Sequence, residues 1–290
     1  MISVIIISVN QKNIAIFNDT LNYIDTNQQL KDSVSFSIKN TILYKANSNI
    51  QISNCINDKN GIVTISLCRT FEAAIKLHSI YYDKKIGVLN FASATNPGGG
   101  VTNGSSAQEE SLCRCSTLFP VLNTQFLFSN FYHPNRVKHN PIHDDAVIYT
   151  PNILICKTDA DYPIRTGVFV AVDVLSCAAP NLRDRPSNIH NYDGDNNVIL
   201  SEKELLNIHL ARGEKIIKAA IKNNIDILVL GAFGCGAFKN NPSIVAEAYS
   251  LLMEKYRKYF DVIEFAIYCN EYNKDNYYCF KEKLNKWILK

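Results

Sequence analysis

Residues 90–110 read NFASATNPGGGVTNGSSAQEE, and they constrain the fold of this 290-residue chain more tightly than any other stretch. A short apolar run (Ile86, Val88, Leu89, Phe91) enters the stretch, and a helical pattern (Leu112, Cys115, Leu118, Phe119) leaves it. Between them stand Gly98, Gly99 and Gly100, then Gly104, and a polar segment that ends in Glu109 and Glu110. Consecutive glycines admit positive φ and let backbone N–H groups approach a ligand with no Cβ in the way. Strand, glycine loop and helix start together form a place where backbone amides and the helix dipole hold anions. Two adjacent carboxylates conflict with such a site. Local physics resolves part of the conflict: Ser106, Ala107, Gln108 and Glu109 spell the S-x-x-E capping box, and Glu110 complements the dipole. The box leaves three glycines and Asn96-Pro97 unexplained, because a plain strand-to-helix turn needs at most one glycine.

The composition, 47% hydrophobic and 20% charged, is that of a globular chain able to bury a large core in one large or two small domains. A net charge of +3 is too mild for a general nucleic-acid or membrane-surface binder, so a polyanion has to be met by a local site. No run approaches the roughly 20 apolar residues of a membrane span. The apolar start, residues 1–9, lacks a basic region and a long apolar core, so no secretory signal is expected. The nine cysteines are odd in number and scattered, with no CxxC pair, and Cys113-Arg114-Cys115 is too tight for a zinc half-site. They read as reduced core thiols of an intracellular protein, cytoplasmic or, in a eukaryote, nuclear.

Apolar spacing predicts a helix over residues 12–27, a strand near 36–44, a loop over 47–60 and a strand over 62–67. Thr70 is a candidate N-cap for the helix that follows. Residues 124–144 are aromatic and irregular. His133, His139 and His143 there match no zinc spacing and read as a surface loop, with no metal and no cofactor expected. Short β-branched runs predict strands over 146–149, 153–156 and 168–175, the last apolar on both faces. Residues 181–197 read as a charged surface excursion. Ser201 and Glu204 form a second capping box, opening a helix with Leu205, Ile208, Ile216 and Ile217 inward. A strand over 225–230, a helix with Pro242 in its first turn, a strand over 262–268 and a helix over 277–289 complete the chain. This alternation predicts a single α/β domain with helices on both faces of the sheet, residues 1–80 forming an accessory layer against a core of 81–290.

A second glycine loop, GAFGCGAFKNNP from Gly231, also follows a strand and precedes a helix, a context suited to a diphosphate. It is neither GxGxxG nor a Walker A loop, because Lys239 is not placed as G-K-[ST]. Cys235 between two glycines reads as a packing residue and not as a nucleophile. Both glycine loops leave strand ends, where α/β sheets bind their ligands.

GGG, seven residues and then QEE resembles the signature of poly(ADP-ribose) glycohydrolases, and NFASATNPGGG…QEESLC is most similar to their bacterial-type branch in the macrodomain superfamily. SCAAPN from Ser176 and the second glycine loop extend the resemblance over most of the chain. Ser105-Ser106 departs locally from the pattern, where a pair including Ala is expected. The resemblance implies a three-layer α/β/α fold with a mixed sheet. It implies hydrolysis of the ribose–ribose bond from chain ends, with Glu110 as catalytic acid/base. Glu109 and Asn96 would bond the flanking ribose hydroxyls, and a diphosphate and Glu109 close by would raise the pKa of Glu110. Gly98, Gly99 and Gly100, with Gly234, Cys235, Gly236, Ala237 and Phe238, would wrap the diphosphate, Phe238 lying against the terminal ribose. Asn90, Ala92, Val101, Gln108, Gly231 and Phe233 complete the implied binding set. The implied partners are poly(ADP-ribose) or ADP-ribosylated proteins, with ADP-ribose as product, no direct nucleic-acid or membrane contact, and a monomeric state. A non-catalytic ADP-ribose-binding module, a mono-ADP-ribosyl hydrolase and a plain nucleotide-binding structural protein share the same fold and stay open. The carboxylate pair speaks against the module, which has no need of an acid at the bond.

Overall fold

The computed structural model describes residues 8–52, 61–188 and 192–288. The chain opens with α1 (Val9–Thr26) and α2 (Gln28–Asn40), then β1 (Ile42–Tyr44), β2 (Ile62–Ser66), α3 (Thr70–Ile80) and β3 (Ile86–Phe91). After the first glycine loop come α4 (Gln108–Cys115), α5 (Leu118–Leu122), α6 (Gln125–Leu127), a π-helical turn over Phe128–Tyr132 and α7 (His133–Lys138). The long hairpin β4 (Val147–Lys157) and β5 (Arg165–Cys177) leads to α8 (Glu202–Lys222), β6 (Ile227–Leu230), α9 (Pro242–Tyr256), β7 (Val262–Ala266) and α10 (Asp275–Leu284).

The strands form one mixed sheet in the order β1-β4-β5-β3-β6-β7-β2, with β1-β4 and β4-β5 antiparallel and the other pairs parallel. Parallel strands covered on both faces read as continuous apolar runs. Their alternation shows which core each side chain enters. Leu89, Leu175, Leu228 and Leu230 pack with α8, α9 and α10, whereas Val88, Val174, Ile227 and Val229 pack with α3, α4 and α5. Asn90 shares its face with Ile86 and Val88, which aims it at α4.

Both edge strands come from the first eighty residues, which are therefore built into the sheet as well as layered against it. Helix α1 opens with a capping box between Ser8 and Gln11 and docks on the glycine-loop side. Asn13 Nδ2 donates to the Gly104 carbonyl at 2.9 Å, Thr20 Oγ1 donates to the Arg114 carbonyl at 2.5 Å, and Phe17 meets Phe119 edge-on at 4.9 Å. Lys157, fully buried, brings its ammonium to the Ile16 carbonyl at 2.9 Å and to Asp19 at 2.8 Å. A buried charge is tolerated when paired in this way.

Several expectations are corrected. Residues 36–40 belong to α2, whose Ser33 and Ser37 hydroxyls donate to the Asn152 and Pro151 carbonyls; the strand begins only at Ile42. Thr70 is the first residue inside α3. Arg69 holds the cap position, its N–H donating to Glu72, while the Phe71 N–H goes to Asp159. Residues 125–138 are helical, not irregular, because Phe131 and Tyr132 turn into the core. The strands expected at 146–149 and 153–156 are one strand bent at a register shift, with Asn152 at φ 57°. Only the second half of β5 is buried. The capping box at Ser201 and Glu204 forms in both halves, and Pro242 takes the first turn of α9. The eight described cysteines are free thiols, and no described helix is long and apolar enough to cross a membrane. The expectations for residues 1–7, 53–60 and 289 lie outside the described residues.

Gly104 sits at φ 78°, and a Cβ there would come within 2.2 Å of the Asn10 carbonyl oxygen. Gly104→Ala is expected to lower stability by about 2–4 kcal/mol, from left-handed strain and overpacking together, read as the urea midpoint shift.

Candidate active site

Strand β3 lies between β5 and β6, and all three run parallel, so their carboxyl ends open on one side of the sheet. Crevices of this kind hold the ligands of α/β sheets. The loops that leave the three strands are 92–107, 178–201 and 231–241.

The first loop accounts for the anion-friendly glycines and the carboxylates together. Gly98 and Gly99 take φ 65° and 60°. The Gly98 N–H bonds Glu109, the Gly99 N–H donates to the Asn96 carbonyl at 3.0 Å, and the Gly100 N–H donates to Glu110 Oε1 at 2.8 Å. What this loop cradles is the protein's own pair of carboxyl groups. The Gly99 and Gly100 N–H groups thus have acceptors within the protein, and the glycines present bare backbone to the crevice. A Cβ on Gly99 would stand 2.5 Å from Glu110 Oε1 and 3.2 Å from Glu109 Oε2, so the backbone passes directly over both acids.

The capping box expected at Ser106 is absent. Ala107 is the N-cap of α4, with no side-chain cap bond, because Glu109 turns away to other donors. Glu109 accepts from the Ser93 N–H at 2.7 Å and from Asn90 Nδ2 at 3.2 Å. Gln108 ties three elements: it accepts from the Phe91 N–H at 2.8 Å and donates to the Leu89 carbonyl and to Thr70 Oγ1. Beneath, Arg114 donates to the Ser105 carbonyl.

Burial and the neighbouring Glu110 push the Glu109 carboxyl up to about 8, against donors that favour its anion. Glu109 is 2% exposed and Glu110 7% exposed.

The loop after β5 locks onto the first, and the loop after β6 locks onto the loop after β5. The Ala92 N–H donates to the Cys177 carbonyl at 2.9 Å, and Thr95 Oγ1 to Asp193 at 3.0 Å. Asp193 also accepts from Asn181 Nδ2 at 2.7 Å and faces His143 Nε2 at 3.3 Å. His143 Nδ1 meets the Ala179 carbonyl at 2.9 Å, and Arg212 of α8 donates to the Ala178, Ile142 and His143 carbonyls. Residues 181–197, expected as a surface excursion, thus send Asn181 and Asp193 into the interior. On the other side, Asn240 Nδ2 donates to the Pro180, Gly234 and Phe238 carbonyls while its Oδ1 meets His209 Nε2 at 2.8 Å. Burial pulls His209 down to about 4, so it acts here as a neutral ring.

The second loop differs from the first in its amides. Among the described residues, no acceptor in the protein takes the N–H groups of Gly234, Gly236, Ala237 or Phe238. Gly234 is buried at φ 78° against Ala179, and a Cβ on Gly236 would meet open space. Free amides in such a run make an anion-binding concavity.

The expected binding residues divide accordingly. Asn96, Gly99, Gly100, Gly236, Ala237 and Phe238 are at least partly exposed at the crevice. Asn90, Ala92, Val101 and Phe233 are fully buried. Asn90 donates to Glu109, Val101 packs in the core, and Phe233 packs on Phe91 and His209. Gly231 is buried where a Cβ would meet the Ala266 carbonyl, and burial holds the Cys235 thiol above its ordinary range, in keeping with a packing role. Sequence missed Arg136, which donates from Nε to the Thr95 carbonyl and from Nη2 to Asn96 Oδ1, and which lies between Phe128 and Tyr192. Its only signal was an arginine inside an aromatic stretch.

A mixed sheet clad on both faces, with its crevice over three parallel strand ends, is a macrodomain-like α/β fold. The chain belongs to the family described as microbial-type PARG, catalytic domain, whose model matches residues 11–158. It is similar to the poly(ADP-ribose) glycohydrolase of Thermomonospora curvata bound to the inhibitor ADP-HPD: 26% identity and a TM-score of 0.77, over 94% of this chain and 99% of that one. It is also similar to the poly(ADP-ribose) glycohydrolase of Deinococcus radiodurans in complex with ADP-ribose: 27% identity and a TM-score of 0.73, over 88% and 98%. No curated protein matches the chain.

Because the folded state raises the Glu109 pKa from 4.5 to about 8, its proton stabilises the fold fully below pH 4.5. That contribution falls as pH rises to about 8, by at most about 1.4 kcal/mol per pH unit. Urea titrations at pH 5 and pH 8 are expected to show wild type losing more stability than Glu109→Gln over this interval.

Proposed function

We propose that this protein is a glycoside hydrolase that cleaves the ribose–ribose O-glycosidic bond of poly(ADP-ribose) and releases ADP-ribose. The observation that carries the proposal is the pair of buried carboxylates fixed by glycine-loop amides at the end of β3, beside a loop at the end of β6 whose amides are open. A ligand with a diphosphate between two sugars suits that arrangement. The open N–H groups of residues 234–238 would take the diphosphate, and the bare glycine backbone would let the distal ribose lie close to Glu110. Asn96, its amide oriented by Arg136, would face a ribose hydroxyl.

Cleavage passes through an oxocarbenium-like state, so a carboxyl must protonate the leaving oxygen. Glu110 gives that proton as the C1–O bond breaks. The resulting carboxylate stabilises the cation and takes a proton from the water that adds to C1, which restores the acid. Adjacent residues on one helix start do not reach opposite faces of a sugar, so one carboxyl performs both steps. Glu109, neutral near pH 7, keeps a second negative charge away from Glu110 and anchors the Gly98 and Ser93 amides. No metal or cofactor takes part in this scheme.

Glu110→Gln is expected to lower ADP-ribose release from poly(ADP-ribosyl)ated protein about 10²- to 10⁴-fold while ADP-ribose affinity stays within about threefold. Near-wild-type turnover in the variant would overturn the assignment of the acid. Binding by wild type without release would make the protein a reader, and release only from singly modified protein would make it a mono-ADP-ribosyl hydrolase.

A further inference from the structure

With a net charge of +3 over 290 residues, the protein presents no general field to a polyanion, so any grip on a long phosphate chain has to be local. One local feature lies beside the second glycine loop, at Lys239. A cleft of about 610 Å³ opens there, lined by Leu182, Arg183, Asp184, Arg185 and Lys239. Three cations against one carboxylate leave a formal charge equal and opposite to that of one diphosphate.

The cleft is joined to the crevice by direct contacts. The Leu182 N–H donates to the Phe238 carbonyl at 2.9 Å, and the Arg183 guanidinium lies 5.7 Å from the Phe238 ring. Arg183 is held in place, its Nε donating to Asn181 Oδ1 at 2.9 Å and its Nη2 to the Pro186 carbonyl. Lys239 occupies the left-handed region at φ 61°, fixed by its N–H to the Gly236 carbonyl at 3.1 Å. That region suits glycine or asparagine better than lysine. The exposed side chains of Arg185 and Lys239 form no bond to another described group.

We propose that this cleft is a phosphate subsite for an ADP-ribose unit adjoining the one held in the crevice, with Arg185 and Lys239 as its contacts. It rests on the glycohydrolase function proposed above. The planar guanidinium matches two phosphate oxygens at once, and the ammonium adds a mobile point charge. Arg183, already bonded within the loop, sets the wall between the two units. Asp184 balances the site so that a single diphosphate neutralises it.

The test compares R185Q/K239Q with its parent, both carrying Glu110→Gln so that no polymer is consumed. Affinity is measured for purified poly(ADP-ribose), for free ADP-ribose and for single-stranded DNA of matched length, at 50 and 200 mM salt. The double variant is expected to bind polymer about tenfold more weakly, with the log–log salt slope reduced by about one to two, and ADP-ribose within twofold of the parent. Unchanged polymer affinity and slope would overturn the subsite. Equal weakening toward free ADP-ribose would overturn it by assigning both cations to the terminal unit, and equal weakening toward DNA would make the cleft a nucleic-acid contact. If the wild-type protein releases no ADP-ribose, the glycohydrolase function fails, and the polymer affinities still decide the subsite.

Discussion

The bonds from the glycine-loop amides to the paired glutamates are the interaction on which the rest of this structure depends. Two adjacent carboxyls are buried at one helix start, and burial without partners would cost several kcal/mol each. The loop supplies Gly98, Gly100 and Ser93 amides to them, and only glycine at position 99 leaves room for the chain to pass over both acids. Asn90 from the middle of the sheet completes the grip on Glu109. The acids hold the loop as much as the loop holds the acids.

Around this centre the sheet provides registration and the flanking helices provide rigidity. Three neighbouring parallel strands end together, so their loops start side by side. The loop after β5 joins the other two: Asp193, held by Asn181, reaches Thr95 of the first glycine loop, and Pro180 and Ala179 meet Asn240 and Gly234 of the second. Arg212 then fastens the loop after β5 to α8. Helix α1 closes the outer side of the glycine loop through Asn13 and Gly104.

Much of this was legible in residue order. The buried strands β3 and β6 show as apolar runs, and glycine loops ending them show as punctuation, so the crevice was found from sequence. What was not legible depends on partners distant along the chain. The Ser106 box looked complete locally, yet Glu109 prefers Asn90 and the Ser93 amide, a choice made by the sheet. In the same way, residues 36–40 alternate like a strand and become helix because Ser33 and Ser37 bond the bend of β4. Asp193 sits in a charged, turn-rich stretch, and nothing within that stretch announces that it is buried against Thr95 and His143. Which amides stay open cannot be read from glycine content either: the triplet is occupied, while the looser G-x-x-G-x-G run is not.

The bridging of all three loops through one buried set of polar side chains has a thermodynamic consequence. A ligand entering such a crevice meets backbone already bonded between the described parts of the loops, which limits the chain entropy lost there on association. Encounter with the site is then governed by diffusion and local charge rather than by loop closure, and the heat-capacity change of binding reports the surface covered by the ligand alone.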